Sequence, residues 1–149
     1  MASRTLTTFV AATLLLVAGC SSDDSGGDSS SGDDGAAAET AEALALMDEG
    51  DIKDETGESE VTVDSRDNVF KPKYIEVTAG TTVTFDNVGR NVHNVLPVEE
   101  GAFTPIEADE FDPGDVGTIT FDEVGDYPYY CSLHGTKTKG MIGGVRVVE

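Results

Sequence analysis

Gly125-Asp126-Tyr127-Pro128-Tyr129-Tyr130-Cys131-Ser132-Leu133-His134, followed by Gly140-Met141-Ile142-Gly143, is the stretch on which the reading of this chain turns. Tyr127, Tyr129 and Cys131 fall on alternate positions, so in a strand they share one face. If the two large aromatics face a core, Cys131 faces it too, at a strand end where a loop begins. His134 comes three residues later, around a tight turn that lets its ring swing back toward the sulfur. A thiol, an imidazole and a thioether thus fall within eleven residues, and Val145-Arg146-Val147 reads as the strand that closes the chain.

Earlier in the chain, Val61-Thr62-Val63, Tyr74-Ile75-Glu76-Val77 and Thr81-Thr82-Val83-Thr84-Phe85 are β-branched and aromatic with strand alternation. Turn signals separate them: Ala79-Gly80, Asn87-Val88-Gly89, Asp112-Pro113-Gly114-Asp115 and Glu123-Val124-Gly125-Asp126. Short strands with regular turns and no long helical period predict an all-β sandwich over residues 60–149, about 90 residues with one core between two sheets. His93 lies in Val92-His93-Asn94-Val95-Leu96, which reads as another strand of that sandwich.

Alone, each of these residues has an ordinary reading. A His between valines is commonly a core or edge histidine, Cys-x-x-His is a weak metal signal, and a Met before a last strand usually packs. Their conjunction is less ordinary, because the whole chain holds two His, two Cys and three Met. In an exported domain thiols tend to pair, and Cys131 has no partner but Cys20. Metal ligation would protect it. Two His, one Cys and a weak axial Met form the ligand set of blue-copper electron-transfer sites, with zinc the main rival for His2Cys.

At this point the pattern resembles a known family. Gly125-x-Tyr127-x-Tyr129-Tyr130-Cys131-x-x-His134, then Gly140-Met141-x-Gly143 before a Val-rich strand, is similar to the plastocyanin-like branch of the cupredoxins, and Val92-His93-Asn94-Val95 resembles its first-ligand strand. The resemblance covers roughly residues 60–149. It implies a Greek-key β-sandwich with one type 1 copper held by His93, Cys131 and His134, and Met141 as long axial ligand. It implies that Asn94 ties the ligand loops together by hydrogen bonds and that His134 is the electron port; Tyr127 matches the position of a tyrosine corner, or else is an ordinary core aromatic. Leu133, Pro97 and Ile142 are expected to form an apolar docking patch around that port, and Lys137 and Lys139 to bias docking toward acidic partners. One departure stands out: six residues, Gly135 to Gly140, separate His134 from Met141, two more than in plastocyanins. Glycines at both ends allow the loop to close, while Met141 either supplies the axial thioether or packs beside the site.

The other end of the chain reads as an address. Arg4 precedes an apolar run, Phe9 to Ala18, of signal-peptide length. The run closes on Val17-Ala18-Gly19-Cys20, which resembles the lipobox of bacterial lipoproteins. That implies a signal peptide over residues 1–19 and a lipidated Cys20 that anchors the exported protein to the outer face of the cell membrane. An ordinary secretory cut near Gly19 is the alternative. Residues 21–35 contain only Ser, Asp and Gly, too little apolar surface to offset ordering. Residues 20–59 are therefore expected to be a disordered acidic linker, with a short helix over Ala36–Met47 too poor in apolar residues to dock firmly.

The chain carries 29 acidic and 9 basic residues, a formal charge of −20. Of the acidic ones 14 precede Val61 and 15 follow it; against 7 basic residues after Val61, the sandwich carries 7 − 15 = −8. Such a charge opposes nucleic-acid binding; solubility, steering of a basic partner and a saline habitat remain open explanations. Multicopper catalysis needs further His ligands, and none exists beyond His93 and His134, so the chain reads as a non-enzyme. Two function classes remain: a monomeric electron shuttle between a redox donor and acceptor, or a copper protein for delivery, storage or sensing.

Overall fold

The computed structural model describes residues 33–149; the signal peptide, Cys20 and the first part of the expected linker lie outside the described residues. In chain order the elements are helix α1 (Asp33–Asp48) and strands β1 (Ile52–Asp54), β2 (Glu60–Arg66), β3 (Val69–Lys71), β4 (Tyr74–Thr78), β5 (Thr81–Asp86), β6 (Leu96–Pro97), β7 (Val116–Phe121), β8 (Gly125–Thr136) and β9 (Lys139–Val148). They build two sheets, β1-β4-β9-β8-β6 and β3-β2-β5-β7. Both are mixed: β1–β4, β4–β9 and β2–β5 run parallel, and the other neighbours antiparallel. The all-β sandwich expected from the alternating strands is what forms.

Alternation explains the core. On β5 Val83 and Phe85 are fully buried, on β4 Ile75 and Val77, and on β8 Tyr129 and Cys131, so each sheet turns one face inward. Phe70, Phe85 and Tyr129 meet edge-on, with ring centroids 5.0 to 6.3 Å apart, the arrangement their quadrupoles favour. Burying side chains of this size contributes roughly 1.5–3 kcal/mol each. Cys131 and Met141 belong to this same cluster. Two of the metal-ligating types therefore lie within the packed core.

Residues 33–54 differ from the expected linker. α1 is a full helix, and Thr40, Ala43, Leu44 and Met47 line one of its faces at helical spacing. Ala43 is 4% exposed and Met47 fully buried. The sheet provides the socket. On β9 the side chain of residue 144 would point outward, and a Cβ there would fall onto the Met47 side chain; glycine leaves that space to the helix. Arg146 then donates to Asp48 (2.6 Å) and to both carboxylate oxygens of Asp126 (2.7 and 3.0 Å). β1 also joins the fold as an edge strand parallel to β4. Residues 33–54 thus pack as part of the folded unit, which is not confined to residues 60–149.

Candidate metal centre

Cys131 is held by β8, with its side chain in the core and none of its surface exposed. β8 does not end there, as the loop expectation had it. It continues through His134 to Thr136, with a bulge-type register break between Tyr130 and Gly135. The break re-aims the chain, so Cys131 and His134 point to a common place. Cys131 Sγ lies 3.5 Å from His134 Nδ1.

His93 arrives from the other side. It is not in a strand, contrary to the sequence expectation; strand β6 starts only at Leu96. The loop is fixed instead by single backbone bonds. The amide of His93 donates to Phe111 O (3.2 Å), and Val95 and Ile106 exchange a pair of bonds (2.9 and 3.1 Å). Asn87, fully buried, donates from Nδ2 to Asn91 O and Phe111 O, both at 2.9 Å. The sequence reading missed Asn87; its signal was an Asn opening the Asn87-Val88-Gly89 turn, where a side-chain amide serves as a backbone substitute.

His93 itself is fully buried, and its Nδ1 lies 3.7 Å from Cys131 Sγ. The donor atoms of His93, Cys131 and His134 all fall within 4.8 Å of one another. A small metal ion about 2.3 Å from sulfur and about 2.0 Å from nitrogen, at a tetrahedral angle, sets the S···N separation at about 3.5 Å. The donors already stand at that spacing, so the residues fit the ion. Burial, and secondarily the nearby His134, push the His93 pKa below its ordinary value, which favours the neutral imidazole that a metal requires. Its Nε2 has no hydrogen-bond partner among the described residues.

Asn94 joins the two ligand-bearing segments. Its Nδ2 donates to Ser132 Oγ and its Oδ1 accepts from the Ser132 amide, each at 2.9 Å. Ser132 was not singled out from sequence. The expected tyrosine corner is present, with Tyr127 Oη donating to Glu123 O at 2.9 Å.

The six residues after His134 form a hairpin. Gly135 faces Gly140 and Thr136 faces Lys139, with Lys137 and Thr138 at the turn. A Cβ on Gly135 would meet Met141 N at 2.7 Å, and Gly140 adopts a φ of +81°, so only glycines close this neck. The two extra residues are absorbed as a turn beyond it. Met141 follows the neck directly, fully buried in the cluster that holds Cys131 and near the three donors.

The expected docking residues differ in exposure. Leu133 is 53% exposed beside the half-buried His134. Pro97 is half-buried on β6, opposite Tyr129. Ile142 is only 7% exposed, and strand alternation turns it to the opposite face of β9 from Met141. Lys137 is paired with Glu39 of α1 at 3.2 Å, whereas Lys139 is exposed and makes no ion pair among the described residues.

Residues 57–148 match the family model described as copper binding proteins, plastocyanin/azurin family. Halocyanin from Natronomonas pharaonis is 40% identical over 109 residues, covering 69% of this chain and 65% of that protein. Chloroplastic plastocyanin from Fritillaria agrestis is 39% identical over 87 residues, covering 52% of this chain and 51% of that protein. The chain thus spans less than two thirds of the length of these relatives. Among solved structures, native pseudoazurin from Hyphomicrobium denitrificans superposes with a TM-score of 0.50 at 25% identity, over 60% of this chain and 76% of that one.

Proposed function

Because this chain belongs to the plastocyanin/azurin family of copper-binding proteins, we propose that it is a single-electron carrier, acting transiently and as a monomer between a redox donor and a redox acceptor outside the cytoplasm. The observation that supports this most directly is the spacing of the Cys131 sulfur from the two imidazole Nδ1 atoms, 3.7 and 3.5 Å. Copper, when bound, supplies a one-electron Cu(II)/Cu(I) couple.

The chain's own residues do the rest. His93, Cys131 and His134 are the proposed ligands, and Met141 the axial thioether. His93 and Cys131 are immobilised by core packing, and Asn94 locks their segments together. A donor set held in place need not rearrange when its charge state changes, which favours rapid transfer. His134 is the proposed port, since it is the ligand that is not fully buried, and the exposed Leu133 offers apolar contact beside it.

The leader and Cys20 support lipid anchoring at the outer face of the cell membrane. Intact-mass spectrometry of membrane-extracted protein tests this; an unmodified Cys20 refutes it. For the redox reading, the copper-loaded protein should show an intense copper–thiolate visible band, lost in Cys131→Ser, and a reversible one-electron wave in voltammetry. A protein that hands copper to an acceptor chelator and gives no reversible wave is a delivery or storage protein instead.

A further inference from the structure

Eight basic residues follow the leader (9 in the chain, less Arg4). Five of them are in ion pairs: Lys53 with Glu55, Arg66 with Asp64, Arg90 with Asp67, Lys137 with Glu39, and Arg146 with Asp48 and Asp126. Lys71, Lys73 and Lys139 make no ion pair among the described residues, and all three are exposed. Two of them lie together. Lys71 and Lys73 flank Pro72 in the lining of a groove of about 550 Å³ that Gly140 and Ile142 also line; Lys139 precedes Gly140 in the chain. Lys73 is extended over the Tyr74 ring, with Nζ 4.9 Å from its centroid, so its charge is held at the rim. Val69, 53% exposed, and Phe70 supply apolar floor. Asp51 is the one carboxylate lining the groove.

In a chain of net charge −20, two of the three cations without an ion pair among the described residues thus line one apolar groove beside the metal hairpin. We infer that this groove docks an acidic segment of the redox partner, with carboxylates over Lys71 and Lys73 and an apolar side chain between Val69 and Ile142. The inference rests on the electron-carrier reading for what the partner does, and on charge complementarity for what it is made of. Partners that approach this acidic protein with acidic surfaces would be repelled over most of it; the groove is where that repulsion reverses. Its wall is β9 next to Met141, so a segment seated there lies against the strand that carries one of the proposed ligands. Ile142 thereby serves docking on a different face from the one expected around His134.

The test uses the full chain in its Cu(I) form and, as probe, a short glutamate-rich peptide bearing one phenylalanine. Titration followed by amide chemical shifts should give saturable changes at Lys71, Lys73, Gly140 and Ile142. Binding should weaken roughly tenfold on raising salt from low to physiological ionic strength, and at least as much in Lys71→Glu/Lys73→Glu. The visible band of that variant's Cu(II) form reports that its fold is intact. Shifts elsewhere, or an affinity that the charge reversal leaves unchanged, overturn the inference. Concentration-dependent shifts at the same amides without peptide assign the groove to a second copy of the chain and equally overturn it. A reversible voltammetric wave with no peptide binding defeats the groove and leaves the carrier reading standing; peptide binding with no wave does the reverse.

Discussion

Glu39 on α1 and Lys137 at the hairpin turn are joined by an ion pair of 3.2 Å. The pair connects the N-terminal half of the helix to the turn that lies between His134 and Met141. Partly exposed pairs contribute little to global stability, about 0–1 kcal/mol. Its effect should be local. Glu39→Gln is expected to leave the melting temperature nearly unchanged while amide exchange at residues 136–139 accelerates. Unchanged exchange there would show that the helix does not restrain the hairpin.

The helix should be anchored more strongly by Met47. Met47→Ala removes a fully buried side chain and is expected to cost about 2–5 kcal/mol. Gly144→Ala places a Cβ where Met47 lies and should cost about 1–3 kcal/mol by overpacking. The two changes meet in one space, so the double variant should be more stable than the sum of the single losses predicts. Denaturant titrations of the four proteins give the coupling; strict additivity would separate Met47 from Gly144.

Met141 sets a test of the axial position. Met141→Leu conserves volume in the core, so folding should survive. If the thioether faces copper, its loss removes lone-pair donation that the more highly charged Cu(II) misses more than Cu(I), and the reduction potential should rise while the visible band persists, because axial ligands tune such sites. A potential unchanged from the parent would make Met141 a packing residue.

His93 gives the copper-free protein a pH dependence. Its folded pKa is lowered by burial first and by His134 second. A depressed His pKa means that the unfolded chain binds the proton more readily than the folded one. Stability is therefore constant above about pH 6.5, the unfolded value, and falls as pH drops through it toward the folded value. Thermal melts of the copper-free protein between pH 8 and pH 5 should show this decline, and His93→Gln should flatten it.

Much of the centre was legible because the chain is so poor in ligand types. With two His in 149 residues, any metal reading had to use both. The sandwich was legible from strand alternation. Three things were not. The docking of α1 depends on Gly144 and Arg146, the latter 98 residues beyond Asp48; a glycine in a strand reads as a weakness until the methionine that fills its space is seen. Lys137 read as a free cation because Glu39 lies in what composition marked as linker. His93 read as a strand residue because Val92-His93-Asn94-Val95 alternates, yet only Val95 finds a strand-like partner, Ile106. The outward turn of Ile142 followed from its being next to Met141, and needed only the alternation rule already applied to Tyr127, Tyr129 and Cys131.

The hairpin neck has a bearing on how long a metal stays. His93, Cys131 and Met141 are sealed in the core, and His134 alone of the four has solvent access. An ion held by the four would meet solvent on the His134 side, next to the Gly135–Gly140 pair. Residence time would then follow the opening rate of one short hairpin rather than the unfolding of the sandwich. Loading and release become questions of gate kinetics, set by a few residues that never touch the metal.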